Sequence, residues 1–287
     1  MQLIDGKAIA AKIEANIADA IQKLKGRPPA LAFILVGNDP ASQSYIKMKK
    51  KKCHEVGILS IDRELSANVT ESHLIKEIEQ LNQDSDVDGI LVQLPLPSHI
   101  NTDNIMLFID PNKDVDGFHP MNVGKMYIGE QDVFFPCTPH GVQVLLAQSN
   151  IATEGKHVVI LGRSNLVGKP LAALLIQKRA HANATVTIAH SMSQDLKKIC
   201  ASADILVAAI GKPRFVGPEM VKQGAVVIDV GINRIRENNK DILVGDVDFD
   251  QVASKCSHIT PVPGGVGPMT IAMLLSNTLL SYQRKLR

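Results

Sequence analysis

Ser42, Tyr45 and Lys49 follow one another at spacings of three and four. On a helix those spacings stack side chains along one face, so a hydroxyl, a phenol and an ammonium would point the same way. A lysine in such company can relay protons at a reacting carbon, and does so best when burial lowers its pKa. Lys47 and the run at 49–52 also read more blandly, as a solvated basic face or a nucleic-acid patch. That reading covers most of the lysines but not the shared face with Tyr45, one of three tyrosines in the chain. Gln93 stands inside the apolar stretch Gly89-Ile-Leu-Val-Gln-Leu-Pro-Leu-Pro97. A buried amide needs partners, and a lysine head or a ligand would serve; the alternative is a glutamine facing solvent from a strand end. Asp114 and Asp116 follow in a turn-rich loop. Lys113 just before them and the lack of a His or Glu cluster argue against a metal.

A second set of residues could hold a phosphate. Val158-Val-Ile-Leu161 runs into Gly162-Arg-Ser-Asn-Leu-Val-Gly168 and then a helix. A glycine turn lets backbone approach a pyrophosphate, and the helix N-terminus adds partial positive charge for the same anion. The fingerprint is imperfect: Ser164 stands where the second glycine belongs, and Gly168 is displaced by one. In an NAD site a carboxylate at the end of the second strand holds the ribose hydroxyls. Here the stretch Thr185-Val-Thr-Ile-Ala189 ends in His190-Ser-Met-Ser193 with no acid. Arg163, Ser191 and His190 could donate to a 2′-phosphate, which leans the chain towards NADP. The plainer alternative makes Arg163 a solvated loop cation and Ser191 an N-cap. Gly211, Gly231 and Ile232 follow later strands, where ligands of such sheets lie.

These residues need elements to carry them. Residues 7–25, 41–56 and 71–82 show helical spacing; 31–36 and 89–94 are apolar runs of the kind a buried parallel strand shows, with a short strand near Leu59. The stretch 110–124 lacks periodicity and reads as a functional loop or a connection. Thr138-Pro139 suggests an N-cap with proline at the first helical position. Beyond it, strands read at 157–161, 185–189, 205–210 and 225–230 and near His258-Ile259, with helices between them at about 168–179, 193–201 and 218–222. A final helix covers about 270–283. Strand–helix alternation implies parallel sheets. The expected fold is therefore two α/β domains, the second a Rossmann-like doubly wound parallel sheet, with an interdomain cleft. Residues 1–120 with 268–287 would form the first domain and 121–267 the second. The cluster Pro261-Val-Pro-Gly-Gly-Val-Gly-Pro-Met-Thr270 costs conformational entropy unless backbone must approach something closely. It is a natural candidate for the cleft.

Composition narrows the function classes. Of 287 residues, 45% are apolar and none is Trp, so the cores are aliphatic. A net charge of +2 asks for no nucleic-acid or membrane partner. No apolar run approaches the ~20 residues of a bilayer span, and the N-terminus does not read as a signal peptide. Four scattered cysteines without a C-x-x-C pair suit a reduced, cytoplasmic chain with no metal.

Tyr45-x-x-x-Lys49, Val92-Gln-Leu-Pro95, Asp114-Val-Asp-Gly117, Pro136-Cys-Thr-Pro139, Gly162-Arg-Ser-x-x-Val-Gly168 and Pro263-Gly-Gly-Val-Gly-Pro-Met-Thr270 occur together and in this order. In this the chain resembles, over essentially its full length, the bifunctional methylenetetrahydrofolate dehydrogenase/methenyltetrahydrofolate cyclohydrolase family, the FolD type. The resemblance implies that 5,10-methylenetetrahydrofolate is oxidised with NADP, and that water then opens the methenyl product to 10-formyltetrahydrofolate in the same cleft. It also implies that Lys49 serves the second step, held by Gln93. Tyr45 would stack on the folate, and Asp116 would accept from the pterin amino group. Ser42, Pro263, Gly267, Pro268 and Thr270 would complete the substrate side. Arg163, Ser164 and Ser191 match the family's NADP-holding positions, with Gly162, Gly168, His190, Gly211, Gly231 and Ile232 around the cofactor. Ser193 stands where many relatives have Thr. A cytoplasmic homodimer serving one-carbon metabolism, and through it purine, methionine and histidine synthesis, is the implied setting. The basic run at 47–52 would suit the anionic polyglutamate tail of a folate. Competing readings are a shikimate-dehydrogenase-like oxidoreductase, a dinucleotide-sensing binding module, and a family member that has lost its cyclohydrolase.

Overall fold

Two parallel sheets carry the molecule in the computed structural model, which describes residues 1–237 and 240–286. They belong to two compact units. One comprises Lys12–Cys137 and Ile271–Arg287, the other Met1–Ala11 and Thr138–Thr270. The boundaries differ from the expected ones at both ends. The first eleven residues join the second sheet because Gln2–Leu3 pairs in parallel with His258–Ile259. A two-residue strand leaves no periodicity to read in a sequence. Residues 121–137 stay with the first unit.

The first unit is built on a three-stranded sheet with Ala30–Val36 at its centre, flanked by Leu59–Leu65 and Gly89–Val92. All seven residues of the central strand are buried, as its unbroken apolar run requires. Its core gathers Ala32, Ile34, Leu74, Ile78, Ile90 and Ile105. The strand near Leu59 is longer than expected because its edge position exposes alternate residues and so hides its length from an apolar count. Helix Pro40–Val56 starts on Asp39, whose carboxylate accepts from the Ser42 amide at 2.7 Å with Pro40 in the first turn. Two helices, Thr102–Phe108 and Pro120–Tyr127, occupy stretches that showed no clear periodicity; both are too short to display it.

The second unit holds six parallel strands in the spatial order Gln2–Leu3, His258–Ile259, Val226–Asp229, Ile205–Ala208, His157–Leu161, Thr185–Ala189. From His157–Leu161 the chain first goes to one side and then returns to the other, so a switch point opens beyond the carboxyl ends of His157–Leu161 and Ile205–Ala208. Such crevices take ligands in doubly wound sheets. Several helices are shorter than their sequence spacing suggested: Gly168–Leu175, Leu196–Ala201 and a single 3₁₀ turn at Pro218–Met220. The hairpin Asn233–Glu237 and Lys240–Val244 was not expected. Helix Cys137–Gln148 begins a residue before the anticipated cap, and the Thr138 hydroxyl instead bonds the Thr270 hydroxyl at 2.9 Å. The last helix runs Val266–Lys285. Among the described residues no helix is long and apolar enough to cross a membrane.

Candidate active site

In the first unit the helix Pro40–Val56 delivers Ser42, Tyr45 and Lys49, and the end of strand Gly89–Val92 delivers Gln93. Lys49 is only 7% exposed and its ammonium donates to Gln93 Oε1 at 3.1 Å. Gln93 is itself held: its Nε2 donates to the Leu94 carbonyl at 2.7 Å and its amide to the Ile34 carbonyl. The glutamine thus faces the lysine and not bulk water. Tyr45 is partly buried, which raises its phenol pKa and keeps it neutral. Ser42 is buried one turn earlier.

Asp116 is brought to this cluster by a loop with its own scaffold. Asp114, 1% exposed, accepts from the amides of Gly117, Phe118 and His119 and from Asn122 Nδ2. Burial pushes its pKa up to about 7, against those hydrogen bonds. Lys113 points away and donates to the carbonyls of Leu81, Asn82 and Asp84, closing the end of helix Glu71–Gln83. Gly117 has φ +79°, and a Cβ there would stand 2.6 Å from the Pro136 nitrogen. Only glycine lets the strand of loop after Asp116 pass so close. Asn277 Nδ2 ties Val115 and Phe135 together through their carbonyls at 2.8 and 3.2 Å. Burial raises the Asp116 pKa, against the Lys49 charge and a hydrogen bond from the Cys137 thiol. Lys49, Gln93, Asp116 and Cys137 therefore form one electrostatic cluster. Asn277 and Cys137 were missed in the sequence, since a lone polar residue in a helix and a lone cysteine carry no spacing signal.

The basic run resolves into pairs. Lys50 meets Asp62 at 2.8 Å, Lys51 meets Glu55 at 3.8 Å, and Lys52 bonds both Glu14 and Glu55 at 2.9 and 2.8 Å. Local carboxylates balance these three cations, which favours the bland reading of the run over a polyanion site.

In the second unit, Gly162 and Gly168 do the work of a dinucleotide turn. Gly162 has φ +134° and lies against the Ala209 carbonyl across the switch point; a Cβ on Gly168 would overlap the Gly162 carbonyl. The displaced glycine is thus the one that lets helix and strand pack closely. Ser164 Oγ accepts from the amides of Val167 and Gly168 at 3.1 and 3.4 Å. Arg163 and His190 are neighbours, with Nη1 and Nε2 3.5 Å apart. His190 Nδ1 faces the Met192 amide at 3.2 Å and must accept there, which in the neutral ring places the proton on Nε2. Arg163 and His190 then present two donors side by side. Ser191 is exposed and is no helix cap; Ser193 Oγ accepts from the His190 amide at 3.0 Å, and the helix starts only at Leu196. Gly211 and Gly231 lie at the same carboxyl edge, where backbone amides gather on the carboxylates of Asp246 and Asp229. Ile232 is exposed, and Gly267 packs beside its side chain. Pro263 follows a cis peptide and Pro268 and Thr270 open the last helix, all within this unit. These features suit a dinucleotide: a turn with no room for side chains, and donors but no carboxylate after Ala189. Among the described residues no group of three or more His, Cys, Asp and Glu side chains could hold a metal ion.

Comparison with known proteins agrees with this division of labour. Residues 4–116 match the model for the tetrahydrofolate dehydrogenase/cyclohydrolase catalytic domain, and residues 136–286 match the NAD(P)-binding domain of the same enzymes. A bifunctional protein FolD of Protochlamydia amoebophila is 55% identical over 285 residues, 98% of each chain. The crystal structure of the bifunctional FolD of Campylobacter jejuni superposes with a TM-score of 0.94 at 50% identity, over 99% of both chains. A Trypanosoma brucei methylenetetrahydrofolate dehydrogenase-cyclohydrolase, described in complex with NADP and an inhibitor, gives 0.94 at 40% identity over 99% of this chain and 98% of its own. The chain belongs to the FolD family, the bifunctional NAD(P)-dependent methylenetetrahydrofolate dehydrogenases and methenyltetrahydrofolate cyclohydrolases of one-carbon metabolism.

Proposed function

We propose that Lys49, Gln93, Tyr45 and Asp116 carry the folate chemistry of this enzyme and that its cofactor is NADP. The observation that carries the first part is the Lys49 ammonium, nearly buried and aimed by Gln93 Oε1 at 3.1 Å. Bound dinucleotide supplies the hydride acceptor for the one-carbon bridge. The rest falls to side chains. Tyr45, neutral and partly buried, offers a ring face to the pterin. Asp116 accepts from the pterin amino group, and the Lys49 charge works against the burial that raises its pKa. Water adding to the methenyl carbon gives the carbinol and releases one proton to solvent; as the C–N bond then breaks, Lys49 passes a proton to the departing ring nitrogen and recovers the one on the hydroxyl. Gln93 prevents the ammonium from swinging away, the positional control on which general acid–base catalysis depends. Ser42, Pro263, Gly267, Pro268 and Thr270 are assigned to holding the rest of the substrate.

Support for NADP comes from the paired donors of Arg163 and His190 and from the strand end, Ala189-His190-Ser191, where an NAD enzyme would place an acid. Gly162, Ser164 and Gly168 would hold the pyrophosphate, Ser191 would join Arg163 at the 2′-phosphate, and Gly211, Gly231 and Ile232 would flank the nicotinamide half. The NADP described with the Trypanosoma brucei relative points the same way. A cytoplasmic homodimer, serving purine, methionine and histidine synthesis, is the setting the family resemblance suggests. The test of cofactor choice is initial rate with NADP and with NAD, for wild type and Arg163→Ala. The variant should raise KM for NADP about tenfold or more, as losing a charge-assisted contact of ~1.5–3 kcal/mol requires, and leave KM for NAD unchanged. Equal effects on both cofactors would contradict the assignment.

A further inference from the structure

Asp246 is fully buried, yet no lysine or arginine pairs with it among the described contacts. Its Oδ2 accepts from the amides of Ile210 and Gly211 at 2.7 and 3.0 Å, and its Oδ1 from the Lys212 amide and Asn233 Nδ2 at 2.8 and 3.0 Å. Four donors fill the lone-pair sites of one carboxylate. Three of them are consecutive backbone amides at the switch point of the sheet, one residue beyond the Ala209 carbonyl that packs on Gly162. Asp246 is in turn held by a second buried carboxylate. Asp229 accepts from the amides of Gly231, Asp246 and Val247 at 3.0, 2.9 and 2.9 Å, and its own amide donates to Thr260 Oγ1. A Cβ on Gly231 would stand 2.8 Å from the Asp246 nitrogen, so nothing larger than glycine fits between them.

We propose that Asp246 is a positioning residue for the dehydrogenase, its carboxylate shaping the backbone at 210–212 and 231–233 into the wall against which the nicotinamide half of the cofactor lies. The inference rests on the reading that this edge receives the dinucleotide. With all three amides of 210–212 turned to Asp246, that loop has none to offer a phosphate, which leaves the pyrophosphate to the 162–168 turn. Without the carboxylate, three buried amides would lose their acceptor and the loop would rearrange towards water. Lys49, Gln93 and Asp116, the residues proposed for ring opening, belong to the other compact unit, so the larger effect is expected on cofactor use.

The experiment measures both activities separately in Asp246→Asn. The asparagine keeps the size but sets an NH₂ against N–H donors. Its KM for NADP should rise about 10–100-fold, the cost of misplacing a binding wall by an ångström. Hydrolysis of supplied methenyltetrahydrofolate, which needs no cofactor, should stay within about threefold of wild type; a generally loosened fold would lose both. An unchanged KM for NADP, or equal loss of both activities in a folded protein, overturns the proposal. If Asp246→Asn does not fold, Asn233→Ala decides. It removes one donor and leaves every backbone amide paired, so a smaller rise in KM for NADP supports the proposal and no rise overturns it. Failure of the wild type to use NADP at all would instead sink the cofactor reading beneath it.

Discussion

In the proposed role Lys49 would act through an ammonium that one neutral acceptor holds and that, among the described residues, no carboxylate pairs with closely. Gln93 Oε1 at 3.1 Å directs it without taking its proton, while Asp116 acts on it at longer range. Gln93→Ala should therefore lower the cyclohydrolase rate by about 10–100-fold, within the range of general acid–base contributions, and leave KM for NADP unchanged. Equal rates in mutant and wild type would show that Lys49 needs no guide. The Tyr45–Lys49 pair and Gln93 were legible in the sequence because helical spacing and a polar residue in an apolar strand are local signals. Asp246 and Asp229 were not: their partners are backbone amides brought near by sheet order, and no residue type marks an amide as unpaired. The alternative that made Ser191 an N-cap fails because the helix starts only at Leu196; a serine after a strand looks the same in the sequence whether or not a helix follows.

The elements that carry these residues are held at their ends by polar side chains. Asp39 caps the helix of Tyr45 and Lys49, and Asp39→Ala should cost about 1 kcal/mol in urea unfolding. The loop before Asp116 hangs on Asp114. Asp114→Asn would set an amide NH₂ against donors and should destabilise by about 1–3 kcal/mol. The pH dependence has a definite sign. Burial raises the Asp114 pKa to about 7, above its unfolded value, so the folded state takes up a proton on this group. Its contribution to stability then falls as pH rises from about 4 to about 7. Asp114→Asn should flatten that part of the stability profile; an unaltered slope would mean the group titrates normally. Long elements such as Ala30–Val36 and Pro40–Val56 were readable from their apolar pattern, whereas the strand Gln2–Leu3 and the helix Pro120–Tyr127 are too short to complete a period.

At the scale of the molecule, the proposed folate residues Lys49, Gln93, Tyr45 and Asp116 and the dinucleotide turn at 162–168 fall in two compact units. In the unit that bears Lys49, Asp88 is fully buried and paired with Arg27 at 2.6 Å and with Lys285 of the last helix at 3.0 Å. Burial alone would raise its pKa; the Arg27 and Ala30 hydrogen bonds and Lys285 outweigh it and leave the pKa below the usual carboxylate value. Stability from this group is complete above the unfolded pKa of about 3.9 and is lost as pH falls through the lower folded value. Asp88→Asn should cost about 3 kcal/mol at neutral pH, because two cations lose a buried partner; equal midpoints in thermal unfolding would contradict this. The two-unit plan itself was legible, since strand–helix alternation and the glycine turn are strong patterns. The exchange of the first eleven residues was hidden because it depends on a single pair of short strands. The division makes the central claim testable in one protein. In Lys49→Met, reduced cofactor, methenyltetrahydrofolate and 10-formyltetrahydrofolate are followed separately from 5,10-methylenetetrahydrofolate and NADP. The account predicts unchanged NADP affinity and a cyclohydrolase rate lower by about 10²–10⁴-fold; ring opening at the wild-type rate would contradict it.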